Sequence, residues 1–265
     1  MHCKIKNRPW PTGTIERNCD PMDFTKINEL RAKLKTMRPL NAGELKRLHD
    51  EFIIDNTYNS NAIEGNTLTL RETALILQDG ITIAEKPIKD HLEAIGHKDA
   101  FEYILQLAAD ETDLTEHVIK TVHSLVLIND ANNRGVYRRL PVKIIGSEHT
   151  PPQPYLVPVQ MEELVHNYTK MQQEKHIIEA IAEFHMRFKS IHPFIDGNGR
   201  TGRLLMNLEL IKAGMMPVNI KFTDRLKYYN TFDAYRKGND IEAMMTLIAN
   251  YEVEELEKHI QILAQ

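Results

Sequence analysis

Apolar residues recur at steps of three and four along most of this 265-residue chain, and the pattern changes character between Gly135 and Pro152. That period matches the α-helical turn, so each segment has to bury one stripe against other helices. Ile27, Leu30 and Leu34 begin the pattern. Leu45, Leu48, Phe52 and Ile53 continue it, with Asn41 in front as an N-cap. Asn56 to Thr69 is polar, rich in asparagine and carries Gly65, which reads as an interruption. Thr69-Leu-Arg-Glu72 is a capping box opening a short helix that stops near Gly80. Further helices are expected at about 86–109, 115–128, 159–173, 177–191, 200–213, 224–236 and 240–262.

At that change, Val136-Tyr137, Val142 and Ile144-Ile145 followed by Thr150-Pro-Pro152 read as a β-hairpin with a proline-rich exit. Residues 1–21, with Pro9, Pro11 and Pro21, read as an extended arm. No repeat, low-complexity tract or long linker divides the chain. The expected fold is therefore all-α, a mostly helical single domain with one short β-hairpin flap. Residues 1–40 form the arm and first helix, and 41–265 the main unit.

Composition narrows the function. Hydrophobic residues at 42% and charged residues at 26% support a real core. A net charge of -4 and a pI of 6.3 leave no basic footprint for nucleic acid. The small cluster of Arg134, Arg138 and Arg139 suits a phosphate-sized ligand better than a duplex. Cys3 and Cys19 make neither a disulfide framework nor a zinc site of ordinary spacing. No stretch approaches the roughly 18 apolar residues of a membrane span, and the N-terminus lacks a signal-peptide core, so a cytoplasmic location is expected.

The chemistry concentrates in twelve residues, His192 to Arg203. Ile177, Ile181, Phe184, Phe188 and Ile191 make a buried stripe that Pro193 ends, which holds His192 at a helix terminus with Phe194 to anchor the next turn. Gly197 and Gly199 allow backbone N–H groups to point into one concavity, and the helix opening near Arg200 adds its unpaired amides and positive dipole end. Arg200 and Arg203, three apart, are expected to converge on one polyphosphate. Asp196 beside that anion is placed to hold Mg²⁺. His192 is the candidate general base. Two arginines in a first helical turn oppose the helix dipole, which a purely structural role does not explain.

His192-Pro-Phe-Ile-Asp-Gly-Asn-Gly-Arg-Thr-Gly-Arg203 resembles the Fic motif, H-x-F-x-[DE]-G-N-G-R-x-x-R, with every specified position filled. The resemblance extends back through Gly135-Val-Tyr-Arg138, Thr150-Pro-Pro152 and Phe184-His185, and forward to Tyr228-Tyr229. It covers residues 40 to 250 or so, most closely like the catalytic core of animal members of that family. It implies transfer of AMP from ATP to a Ser, Thr or Tyr hydroxyl of a protein target. His192 would then be the base and Asp196 the Mg²⁺ ligand. Gly197, Asn198 and Gly199 would form the anion hole, Arg200 and Arg203 would bind phosphates, and Tyr228 and Tyr229 would flank the adenosine. Val142, Lys143, Ile144 and Ile145 would be a flap pairing with the target strand. Where the animal enzymes carry an amide near the adenine, this chain has Arg236.

Upstream, Ser60-Asn-Ala-Ile-Glu64-Gly-Asn66 resembles the inhibitory motif [ST]-x-x-x-E-[GN] of the same family. It implies that Glu64 pairs with Arg203 and removes a phosphate ligand. The likeness admits a homodimer, since members often dimerise. Three other activities stay open: hydrolytic removal of AMP at the same site with Glu64 positioning water, another phosphate donor, and a non-catalytic nucleotide-binding partner. His185 has no glutamate at metalloprotease spacing, and the remaining histidines, His97 and His123 among them, are scattered.

Overall fold

The capping signals are met. In the computed structural model, which describes residues 23–264 apart from 145, 147 and 148, Asn41 with Glu44 and Thr69 with Glu72 both form reciprocal capping boxes. The helices are α1 (Thr25–Thr36), α2 (Ala42–Ile63), α3 (Leu70–Asp79), α4 (Ile88–Ala109), α5 (Glu116–Val126), α6 (Val157–Glu174), α7 (Ile177–Ile191), α8 (Asn198–Lys212), α9 (Arg225–Gly238) and α10 (Glu242–Leu263). Short 3₁₀ turns, Pro154–Leu156 and Phe222–Asp224, lead into α6 and α9. The N-terminal arm and both cysteines lie outside the described residues.

Helix α8 is the centre. Every residue from Asn198 to Leu210 is buried, and α4, α7, α5 and α2 all pack on it. Burying Leu204, Leu205, Leu208 and Leu210 contributes roughly 1.5–3 kcal/mol apiece. Helix α10 covers α1, α7 and α9 from outside, and α6 lies on α7. Gly96 lets α4 approach α5, because a Cβ there would lie 2.3 Å from the Leu125 carbonyl oxygen. Along the N-terminal half of α8 the buried residues are polar: Asn198, Arg200, Thr201 and Arg203. Such groups need partners brought to them.

Helix α2 supplies some of those partners, and here the sequence expectation is corrected. Asn56 to Ile63 is not an interruption but the last two turns of α2. Its polar residues read as a loop, yet Asn56, Thr57, Ser60 and Asn61 are buried. They bond to the Val218 carbonyl, His97, Arg203 and Arg200 respectively.

The expected hairpin is also corrected. Described residues between 136 and 150 form no strand. A lone two-stranded ribbon is marginal in water, and this segment is instead fastened by one buried side chain. Arg138 donates from Nε to the His192 carbonyl (2.8 Å) and from its terminal nitrogens to the carbonyls of Leu140, Pro152 and Ile191. Its own N–H reaches the Pro193 carbonyl at 2.9 Å. Arg138 is thus a backbone clamp and not a phosphate ligand. Val142 and Ile144 are half-buried and Lys143 exposed, while Ile145 falls outside the described residues. None of the described helices is long and apolar enough to cross a membrane.

Candidate active site

The loop between α7 and α8 is held from three directions. His192 terminates α7 in the left-handed region, at φ 51°, with its N–H on the Phe188 carbonyl at 3.0 Å. A non-glycine residue there is uncommon and is retained only when its surroundings dictate it; Pro193 and the Arg138 clamp do so. The Asn198 side chain accepts from the Phe194 N–H and donates to the Phe194 carbonyl, both at 2.9 Å. The Phe194 ring stacks on His123, 3.6 Å between centroids and 4° between planes.

His123 fixes the loop's backbone as well. Its Nδ1 accepts from the Gly135 N–H at 2.9 Å, so its proton sits on Nε2, which donates to the Asp196 carbonyl at 3.0 Å. Burial pushes this imidazole down to about 4, and it stays neutral. Gly197 then turns at φ 74° with His123 Nε2 3.3 Å from where a Cβ would stand. The first intrahelical bond of α8 runs from the Thr201 N–H to the Gly197 carbonyl, at 3.0 Å. The amides of Asn198, Gly199 and Arg200 come before it, at the positive end of the helix.

The two arginines do not share one target. Arg200, only 2% exposed, donates to Glu93 at 3.0 Å and to Asn61 at 3.3 Å, and lies 3.6 Å from Asp196. It ties α8 to α4 and α2 underneath the loop. Arg203 donates from Nε to the Ser60 hydroxyl (3.0 Å) and from Nη2 to the Ser60 carbonyl (2.7 Å) and Glu64 (2.9 Å). Behind it, His185 donates from Nδ1 to the Gly202 carbonyl, so Nε2 accepts from the Tyr228 hydroxyl at 2.9 Å. Tyr228 is fully buried and stands 3.5 Å from Arg203 Nη1. It supports the arginine and is no open pocket wall. Tyr229, 39% exposed, bonds to the Ile63 carbonyl at the end of α2. Arg236 pairs with Asp233 at 3.1 Å.

Glu64 sits in the mouth of this arrangement. A Cβ added to Gly199 would lie 1.7 Å from its Oε1, so the carboxylate rests directly on the first turn of α8. Burial alone would raise its carboxyl, but Arg203, Lys189 and Arg200 outweigh that and bring it down to about 2. Its side chain nevertheless keeps 30% of its surface open. Burial, then the Lys189 ammonium, push His192 down to about 3, against the pull of the Lys189 carbonyl and Glu64. Its Nδ1 is buried without a full hydrogen bond. Asp196, 53% exposed, accepts from the Gly197 N–H at 2.6 Å.

Sequence reasoning passed over His123, Glu93 and Lys189, and gave His185 no part in the site. The signal available was register, since His185 and Lys189 fall four apart on α7, just before the cap at His192.

Residues 113–210 match the model of the Fic/DOC family. A Fic domain-containing signaling protein from Bacteroides thetaiotaomicron superposes with a TM-score of 0.85 at 31% identity, over 91% of this chain and 98% of that one. The chain belongs to the Fic/DOC family. Fic-1 of C. elegans superposes with a TM-score of 0.79 at 29% identity, over 90% of this chain and 70% of that one. A protein adenylyltransferase Fic from Culex quinquefasciatus is 34% identical over 243 residues, 90% of this chain and 48% of the relative. That from Nematostella vectensis is 34% identical over 235 residues, 88% and 54%. The chain spans about half the length of these curated relatives.

Proposed function

We propose that this chain is a protein adenylyltransferase, transferring AMP from ATP to a hydroxyl side chain of a protein target, and that Glu64 holds it inactive. The observation that carries the reading is the meeting of His192, the amide turn at Gly197–Arg200 and Arg203 around one ionised carboxylate. An anion already rests against Gly199 in the first turn of α8 and on the Arg203 guanidinium, so a phosphate group suits the same spot. The curated relatives named for adenylyl transfer point the same way.

In this reading the target's hydroxyl oxygen attacks the α-phosphorus of ATP, and the bond from that phosphorus to the bridging oxygen breaks. Pyrophosphate leaves with the electron pair, and His192 takes the hydroxyl proton on Nε2 as the new P–O bond forms. The depressed basicity of His192 keeps it unprotonated at neutral pH, ready to accept. The helix-terminal amides and Arg203 stabilise charge on the phosphates. Asp196 fits a Mg²⁺ role: it is an open carboxylate at the rim of the turn, with one oxygen oriented by the Gly197 amide. Mg²⁺ takes one or two carboxylates and completes its shell on substrate phosphates; no group of three metal-binding side chains is found among the described residues. Bound there, Mg²⁺ would neutralise charge on the leaving pyrophosphate. Tyr229 and Arg236, on α9, would border the nucleoside end.

A second reading draws on Glu64 itself. An ionised, partly open carboxylate beside His192 could orient a water, turning the site toward removal of AMP from a modified target. Incubation with labelled ATP and Mg²⁺ tests the first reading. Glu64→Gly should label itself or an added target, and Glu64→Gly with His192→Ala should not. Absence of label from the former, or persistence in the latter, would overturn it. Release of AMP from a pre-modified target by the wild type, lost in Glu64→Gln, would favour the hydrolytic reading.

A further inference from the structure

Almost every cation around this site is already engaged. Arg203 has Glu64, Arg200 has Glu93 and Arg236 has Asp233, while Arg138 is spent on carbonyls. Lys189 differs. Among the described residues no carboxylate lies within 4.0 Å of its ammonium and no hydrogen bond is made to it. Its stem is half-buried on α7, one turn before His192 and one turn after His185. Its Nζ stands 5.7 Å above the Phe232 ring, over which the Arg236 guanidinium lies at 6.0 Å. Two cations on one ring, beside Arg203, is a costly arrangement for a nucleotide-free fold. An apolar residue would serve packing on Phe232 better.

We propose that Lys189 is a further anion ligand of the site, donating to a phosphate of the bound nucleotide once Glu64 has left Arg203. The helix register aims it correctly. His185 and Lys189 lie one turn apart on α7, just before the His192 cap, and His185 contacts Gly202 on α8 and Tyr228 on α9. The ammonium is felt by both groups at the mouth, since it is the second-largest charge acting on Glu64 and the largest acting on His192. Burial lowers the basicity of this ammonium, Glu64 raises it, and Arg203 and Arg236 lower it further, so an anion beside it is what holds its charge. With Glu64 in place that surplus charge helps retain the carboxylate. With Glu64 gone, it has no anion until a polyphosphate arrives.

This inference rests on the adenylyltransferase reading, and the test separates them. Affinities for ATP by calorimetry and for adenosine by ligand-observed NMR are measured on Glu64→Gly, alone and combined with Lys189→Met or Lys189→Arg. Loss of a charge-assisted contact predicts ATP binding weakened about tenfold or more by Lys189→Met. Adenosine binding should not change, and Lys189→Arg should restore most of the loss. The melting temperature should stay within a few degrees of the parent. Equal ATP affinity with and without Lys189, equal losses for ATP and adenosine, or a large fall in melting temperature would each overturn the assignment. If Glu64→Gly binds no ATP at all, the adenylyltransferase reading falls and this inference with it; if it binds and Lys189→Met binds as well, only Lys189 is reassigned.

Discussion

Replacing Glu64 by glycine should raise AMP transfer, and the structure sets the size of the effect. Arg203 keeps its place without Glu64, because the Ser60 hydroxyl and carbonyl and the Tyr228 hydroxyl hold three of its nitrogens. The donor now turned to Glu64 at 2.9 Å would face open space and be free for a phosphate. A hydrogen bond to a charged group is worth about 1.5–3 kcal/mol, or roughly 10- to 100-fold in affinity. Since the Glu64 side chain is 30% open, solvent screening favours the lower figure, about tenfold. The rate gains separately. A carboxylate resting on Gly199 would push a bound triphosphate off its productive pose, and a displacement near 1 Å costs on the order of 10²-fold. The assay is AMP incorporation against ATP concentration at equal folded protein, with Glu64→Gln beside Glu64→Gly. Glutamine keeps the bulk over Gly199 and loses the charge, so it should recover affinity and only part of the rate. Unchanged incorporation in both variants would refute the inhibitory role while leaving the loop's assignment standing.

Four further outcomes follow from the same geometry. His192→Ala in the Glu64→Gly background should cut transfer by about 10²–10⁴-fold with ATP affinity nearly kept, read by paired rate and binding measurements. Asp196→Ala, or excess chelator on the parent, should abolish transfer at neutral pH; full activity in chelator would remove the Mg²⁺ role. Gly199→Ala should destabilise the wild type, where the new Cβ meets Glu64 at 1.7 Å, yet be neutral or stabilising by about 0.5–1 kcal/mol in Glu64→Gly, where only helix propensity is left; equal effects in both backgrounds, by denaturant unfolding, would contradict the contact. Acid should weaken the fold: His97, His185 and His192 are pushed by burial to about 3 and His123 to about 4, so the unfolded chain binds more protons below pH 6.5 or so and stability falls as pH drops from there toward about 4, at up to about 1.4 kcal/mol per pH unit for each group.

Two groups set the limits of that acid response. Burial raises the Glu252 carboxyl to about 7. Its folded form therefore holds a proton that the unfolded chain releases above about 4.3, and it works against the histidines across that window. Burial also raises Asp55, Asp99 and Glu255, and it lowers His176 with the other histidines; five imidazoles against four carboxyls leave a fall in stability with acid as the expected sign. Glu64 is depressed instead, to about 2. Its contribution is complete above the ordinary carboxylate range and lost only as pH falls through that range toward 2, so mild acid should not release inhibition.

What the sequence disclosed and what it hid follow from where polar groups sit. Apolar stripes gave the helices because burial repeats along them, and the capping boxes at Asn41 and Thr69 marked starts through purely local bonds. The end of α2 was misread for the opposite reason. Asn56, Thr57, Ser60 and Asn61 look like a loop, yet each is buried against a polar partner far along the chain, and one-dimensional polarity cannot tell a solvated residue from one facing a buried arginine. The hairpin was misread because short alternating residues suggest a strand, whereas the Arg138 side chain fastens that segment to the His192 and Pro152 carbonyls.

The geometry of the loop between α7 and α8 was legible for a physical reason too. It needs a histidine at a helix end, glycine where φ is positive and arginine in a first turn, and these demands fall on consecutive residues. The supports that make the loop rigid do not. His123 comes from α5, Glu93 from α4, Tyr228 from α9 and Ser60 from α2, and each is a common residue in an ordinary helical pattern. The proposed inhibition would use the same dispersal. Ser60 and Glu64, one turn apart at the end of α2, both hold Arg203, one orienting the guanidinium and the other occupying it. Loss of the first should misplace the arginine, and loss of the second should release it. Ser60→Ala added to Glu64→Gly should therefore return part of the ATP affinity gained; an unaltered affinity would mean that Tyr228 alone suffices to orient Arg203.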